Sequence, residues 1–137
     1  MPHDPELVAE TRSWLVKASQ DLRAASHDFT MKPPLLADIV FHAQQAAEKI
    51  LKGFLTWHST PFRKTHLLEE IGEQCLKIDP ALRPVVDKAV PLSKYAWKFR
   101  YPGEPEEPSQ GEAETALAAA REVYEAVLSR LPSEVRP

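Results

Sequence analysis

The sequence predicts an all-α bundle of about five helices, and three observations carry that prediction. Apolar residues recur at intervals of three and four over long stretches, and strand-like alternation appears nowhere. Thirteen prolines against four glycines gather in clusters, and these separate proline-free runs long enough to be helices. With 137 residues, 43% of them apolar and 27% charged, the chain has material for one core of ordinary size. Residues 1–137 are therefore expected to form a single domain, without internal repeats.

The first helix is expected from about Pro5 to His27, with Leu7, Thr11, Trp14, Ala18, Leu22 and Ala25 on one stripe. Lys32-Pro33-Pro34 breaks it, because proline lacks an amide donor and pushes the preceding residue toward extended backbone. A second helix is expected from about Leu35 to Trp57, its core face made by Leu36, Ile39, Ala43, Ala46, Ala47, Ile50, Leu51 and Phe54. The alanines in that stripe allow a neighbouring helix to approach closely. Residues 58–64 read as a loop, and Thr65 as the N-cap of a shorter helix using Leu67, Leu68, Ile71 and Leu76. Asp79-Pro80 restarts the chain with an acid at the cap and proline in the first helical position. The stretch from Ala81 to Phe99 reads as helical, but Pro91 demands a bend or two short helices. Tyr101 to Pro108 is an acidic, proline-rich loop. Ser109 and Glu112 then have the spacing of a capping box, opening a last helix with Ala113, Leu117, Ala120, Tyr124, Val127 and Leu131 on its core side.

Composition excludes several classes. No apolar run approaches the roughly 18 residues that cross a bilayer. The first ten residues lack the basic start and apolar run of a signal peptide, so a cytoplasmic protein is expected. One cysteine, Cys75, cannot form an intramolecular disulfide, and a buried inert thiol suits it better than a nucleophile. The five histidines and Cys75 show no recognised metal-ligand spacing, and there is no glycine-rich phosphate loop or nucleophile elbow, so neither a metal nor a cofactor is expected. Net charge is −3, against bulk nucleic-acid binding, yet residues 49–100 hold ten basic side chains against five acidic ones. A basic middle suits a small polyanionic ligand or an acidic partner; a lysine-rich solvated face reads the same way.

Two segments concentrate candidate site residues. On the second helix His42, Gln45, Lys49 and Lys52 are three, four and three apart, so they line one side, with Glu48 adjoining. Two ammonium groups, an amide and an imidazole on a rigid surface suit phosphate oxygens, whereas a solvated face with a Glu48–Lys52 pair explains the same spacing. The second segment, residues 95–102, packs Tyr95, Trp97, Phe99 and Tyr101 around Lys98 and Arg100. Rings and a guanidinium together stack a base and hold its phosphate. Alternatively, Tyr95 and Phe99 are core and Arg100 caps the helix end.

The chain resembles the HEPN domains (higher eukaryotes and prokaryotes nucleotide-binding). Three motifs carry the resemblance: the run from Phe41 to Lys52, FHAQQAAEKILK; the run from Lys64 to Leu68, KTHLL; and Tyr95 with Arg100-Tyr101-Pro102. The resemblance implies an antiparallel helical bundle that commonly forms homodimers, often encoded beside a minimal nucleotidyltransferase as its partner or as the toxin of a toxin–antitoxin pair. Many such domains are metal-independent ribonucleases that use an arginine followed, after four to six residues, by a histidine. Here the positions after Arg100 are Pro105, Glu106 and Glu107, and no other arginine has a histidine at that distance. Cleavage needs a group to move protons, and a carboxylate beside a phosphodiester is repelled by it.

The expectation is therefore a non-catalytic, homodimeric HEPN domain that binds a nucleotide or other phosphate-bearing ligand, RNA included, beside a nucleotidyltransferase partner. Lys49, Lys52 and Arg100 are expected to contact phosphate, Tyr95 to stack, and His42 and Gln45 to orient by hydrogen bonds. Convergence of these groups on one anion pocket is the geometric requirement. The alternatives are a ribonuclease toxin, with His66 of the KTHLL motif supplying the histidine, and a pure dimerisation module.

Overall fold

Asp4 opens the first helix: its side chain accepts from the Glu6 amide at 3.0 Å, and Pro5 occupies the first helical position, where a missing amide hydrogen costs nothing. The computed structural model describes residues 3–103 and 106–137. Helix α1 spans Pro5–Thr30, running past His27 because the proline pair that stops it lies three residues beyond Thr30. Helix α2 spans Leu36–Trp57, α3 Leu68–Ile78, α4 Arg83–Ala89 and α5 Gln110–Leu128. Short 3-10 segments at Pro80–Leu82, Val90–Ala96 and Ser133–Val135 complete the regular structure, and no strand occurs among the described residues. No helix among them is long and apolar enough to cross a membrane.

Helix α2 is the centre of the bundle. Thirteen of its 22 residues are buried, too many for one stripe, so it is enclosed on more than its apolar face. It packs along α1 and α5, with α3 and the Val90–Ala96 segment against its remaining side. Close approach to α1 is made at Gly53, where an added Cβ would lie 2.6 Å from Leu15 Cδ1 and 3.1 Å from Trp14 Cβ. Leu15, Ala18, Ile39, Ala43, Ala47, Ile50, Leu51, Ala120 and Val123 lie in the fully buried core, joined by Leu131 and Val135 of the C-terminal segment.

Two local expectations need correction. Thr65 is not the N-cap of α3: Leu67 holds that position, and the Thr65 hydroxyl accepts from the Leu67 amide at 3.1 Å two residues earlier. Of the two outcomes expected at Pro91 the chain takes the division: α4 ends at Ala89 and the backbone tightens into a 3-10 segment. Only half of the capping box at α5 forms. Ser109 accepts from the Glu112 amide at 3.0 Å, while the Glu112 carboxylate turns to the Tyr95 hydroxyl instead.

Candidate functional site: the polar edge of α2 and the Arg100 cleft

Positions 42 and 49 of α2 face α1, where Asp21 is buried between them. Asp21 accepts from His42 Nδ1 at 2.8 Å and from Lys49 Nζ at 2.7 Å, one carboxylate oxygen for each. The other ring nitrogen of His42 lies 3.4 Å from Asp38 Oδ2, one turn earlier on the same helix. The hydrogen bond to Asp21 raises the His42 pKa above its usual value, overcoming the opposite effect of burial, with Asp38 adding to the rise. Asp28, near the end of α1, is buried beside Asp38; burial first and the neighbouring carboxylate second push its carboxyl up to about 6.

Positions 44, 45, 48 and 52 form a second network, turned toward the 57–66 loop. Gln45 donates to Gln44 Oε1 at 2.7 Å, and Gln44 donates to Glu48 at 3.0 Å. Glu48 also takes the Lys52 ammonium at 3.0 Å and His66 Nδ1 at 2.7 Å, so one buried carboxylate serves three partners. Lys52 is itself buried, 7% exposed, with its ammonium 5.7 Å from the Trp14 ring centroid and 5.6 Å from that of Phe62. A lysine enclosed this way is unavailable to an external phosphate.

Arg100 stands on its own. Its guanidinium carbon lies 3.5 Å from the centroid of the Phe41 ring, stacked on the outer edge of α2. Phe99, immediately before it, takes φ +69°, a left-handed conformation that costs a bulky residue about 1–3 kcal/mol. Beneath lies a cleft of about 530 Å³ formed by Pro33–Asp38, Phe41, Phe99, Arg100 and Glu107. Among the described residues no carboxylate pairs with Arg100. Tyr95 is not part of this cleft. It is 4% exposed, its ring stacks on Phe99 with centroids 6.2 Å apart, and its hydroxyl donates to Glu112. Burial and that hydrogen bond raise its pKa, so Tyr95 is a neutral core residue, not a stacking platform.

The expected convergence of six residues on one pocket is therefore corrected. Of His42, Gln45, Lys49, Lys52, Tyr95 and Arg100, only Arg100 lines the cleft. His42 adjoins it through Asp38; Lys49 and Lys52 are consumed by Asp21 and Glu48. Helical spacing identifies side chains that share a helix face, but the partner each meets is set by a neighbouring helix that spacing does not describe. Phe41, Asp28 and Asp38 escaped the sequence reading as site residues. Asp38 and His42, four apart on α2, were a legible pair; Asp28 comes from α1 across the proline turn and was not. Glu106 and Glu107 are exposed, while Glu104 and Pro105 lie outside the described residues. Cys75 is fully buried and its thiol is pushed up to about 12 by burial, as an inert thiol should be.

A family model described as HEPN domain matches residues 11–131, nearly the whole chain. No curated protein and no solved structure matches it. The family match and the all-helical bundle support a nucleotide-related or ribonuclease-type domain, and the chain belongs to the HEPN domain family.

Proposed function

We propose that this HEPN domain binds a nucleotide or other phosphate-bearing ligand in the Arg100 cleft without cleaving it, and that it works as a homodimer beside a nucleotidyltransferase partner. The observation that carries the ligand reading is the stack of Arg100 on Phe41 at the mouth of the cleft. A guanidinium fixed by a ring keeps its N–H edge for phosphate oxygens, and little rotamer entropy is lost when the ligand arrives. The apolar floor of Pro33, Pro34, Leu36 and Phe99 suits the flat face of a base. The other cations of the second helix contribute indirectly, holding Asp21 and Glu48 in place. The absence of a histidine at the family's spacing after Arg100 supports the non-catalytic part. The dimer and the partner rest on the family resemblance.

Calorimetric titration of AMP, ADP and ATP into the wild type and Arg100→Ala tests the ligand reading. Saturable heat that grows with phosphate number in the wild type and weakens at least tenfold in the variant is expected. Equal heats in both proteins refute it.

A ribonuclease reading is favoured by one observation. Phe41, Gln44 and Glu48 follow one edge of α2; Arg100 stacks on the first, while His66 is held by the other two, its backbone carbonyl accepting from Gln44 at 3.3 Å. The His66 ring is 62% exposed and oriented by a buried carboxylate, which is how a proton-transferring histidine is held. Incubating the protein with RNA separates the two readings: intact RNA supports binding alone, and cleavage lost in His66→Ala establishes the ribonuclease.

A further inference from the structure

Two carboxylates and an imidazole meet where α1 ends and α2 begins, at the edge of the cleft. One ligand-capable atom from each of Asp28, Asp38 and His42 lies within 4.8 Å of the other two. The 3.4 Å between His42 Nε2 and Asp38 Oδ2 is close to the separation of two donors bonded to one ion at about 2.1 Å and roughly 110° apart.

Asp28 supplies a second, independent observation. It is only 8% exposed, and among the described residues its Oδ2 has no hydrogen-bond partner. A buried carboxylate oxygen without a donor is costly, and buried charges are normally paired or bound to metals. Among the described residues Asp28 also has no basic ion-pair partner, whereas Asp21 has both Lys49 and His42. Two facing carboxylates can share a proton or share a cation.

The surroundings are arranged as they are around metal-ligating histidines. Asp21 accepts from Nδ1 of His42 and is itself fixed by Lys49, which leaves Nε2 facing Asp38. Asp28 stands in the last turn of α1, where the free helix carbonyls carry partial negative charge and favour a cation. Asp38 is 47% exposed, so water or a ligand oxygen from the cleft has access to the remaining coordination positions.

We propose that Asp28, Asp38 and His42 bind a first-row divalent cation of the Mn²⁺ to Zn²⁺ type at the edge of the Arg100 cleft. The imidazole selects such ions over Mg²⁺ and Ca²⁺, and the carboxylates provide the charge. The site escapes a spacing search because one ligand lies on a different helix from the other two. It does not depend on nucleotide binding, and its test contains no nucleotide.

Mn²⁺ alone, titrated into the full chain and followed by the electron paramagnetic resonance signal of the free ion, is the direct measurement. One ion per chain is expected in the wild type, with affinity at least tenfold weaker in Asp28→Asn and in Asp38→Asn. Asp38 is half-exposed, so its variant decides the matter even if Asp28→Asn fails to fold. Zn²⁺ is expected to raise the melting temperature of the wild type and not that of Asp38→Asn. No saturable Mn²⁺ binding in the wild type, or equal binding in Asp38→Asn, overturns the proposal.

Discussion

Glu48 shows how a charged residue inside this bundle is tolerated. Its side chain is 6% exposed, yet an ammonium, an imidazole and an amide satisfy its two oxygens. Removing one member of such a pair strands a buried charge, whereas removing both leaves an apolar contact. Glu48→Ala is therefore expected to cost about 3–5 kcal/mol by urea denaturation, and Glu48→Leu combined with Lys52→Met far less. Equal losses in the two proteins would show that the network is not what holds this region. At this scale the sequence was legible in part. The Glu48–Lys52 pair at four-residue spacing was readable from the chain, and so was Arg100 as a ligand candidate. The burial of Lys52 was not, because Trp14 and Phe62 arrive from outside its helix. Lys49 misled for the same reason: Asp21 lies 28 residues away in sequence and 2.7 Å away in space.

Helices are defined here by their ends and by their closest approaches. The Asp4–Pro5 and Asp79–Pro80 starts follow from local chemistry that acts within three residues: both side chains cap, Asp79 as the sequence predicts. The full capping box at α5 failed because Glu112 has a tertiary competitor, the Tyr95 hydroxyl, which local spacing does not reveal. Gly53 and Gly111 form a matched test of approach against propensity. A methyl group at Gly53 meets Leu15 and Trp14 at 2.6 and 3.1 Å, while one at Gly111 meets nothing nearer than Ser109 Oγ at 4.0 Å. Gly53→Ala is expected to destabilise by about 1–3 kcal/mol through overpacking. Gly111→Ala is expected to be neutral or to stabilise by up to about 1 kcal/mol through helix propensity. Thermal melts of the two variants check this, and a stable Gly53→Ala protein would mean that α1 and α2 pack less closely than the contact distances require.

For the whole molecule, the helical class, the order of the elements and the family were readable, because long apolar stripes and proline breaks act along the chain. The arrangement of the site was not, since it depends on which face of α1 meets α2 and on the turn that brings Arg100 back over Phe41. The proposed homodimer belongs to this scale. Sedimentation of the purified protein is expected to give about twice the 15.4 kDa chain mass, and a single-chain mass would remove the dimer from the account. The central claim is that the cleft between the proline turn and Arg100 receives a phosphate-bearing ligand. Amide NMR shifts recorded while ATP is added test it most directly. Shifts concentrated at residues 35–41 and 99–101, and lost in Arg100→Ala, are the predicted result; shifts centred elsewhere, or none at saturating ATP, would contradict it.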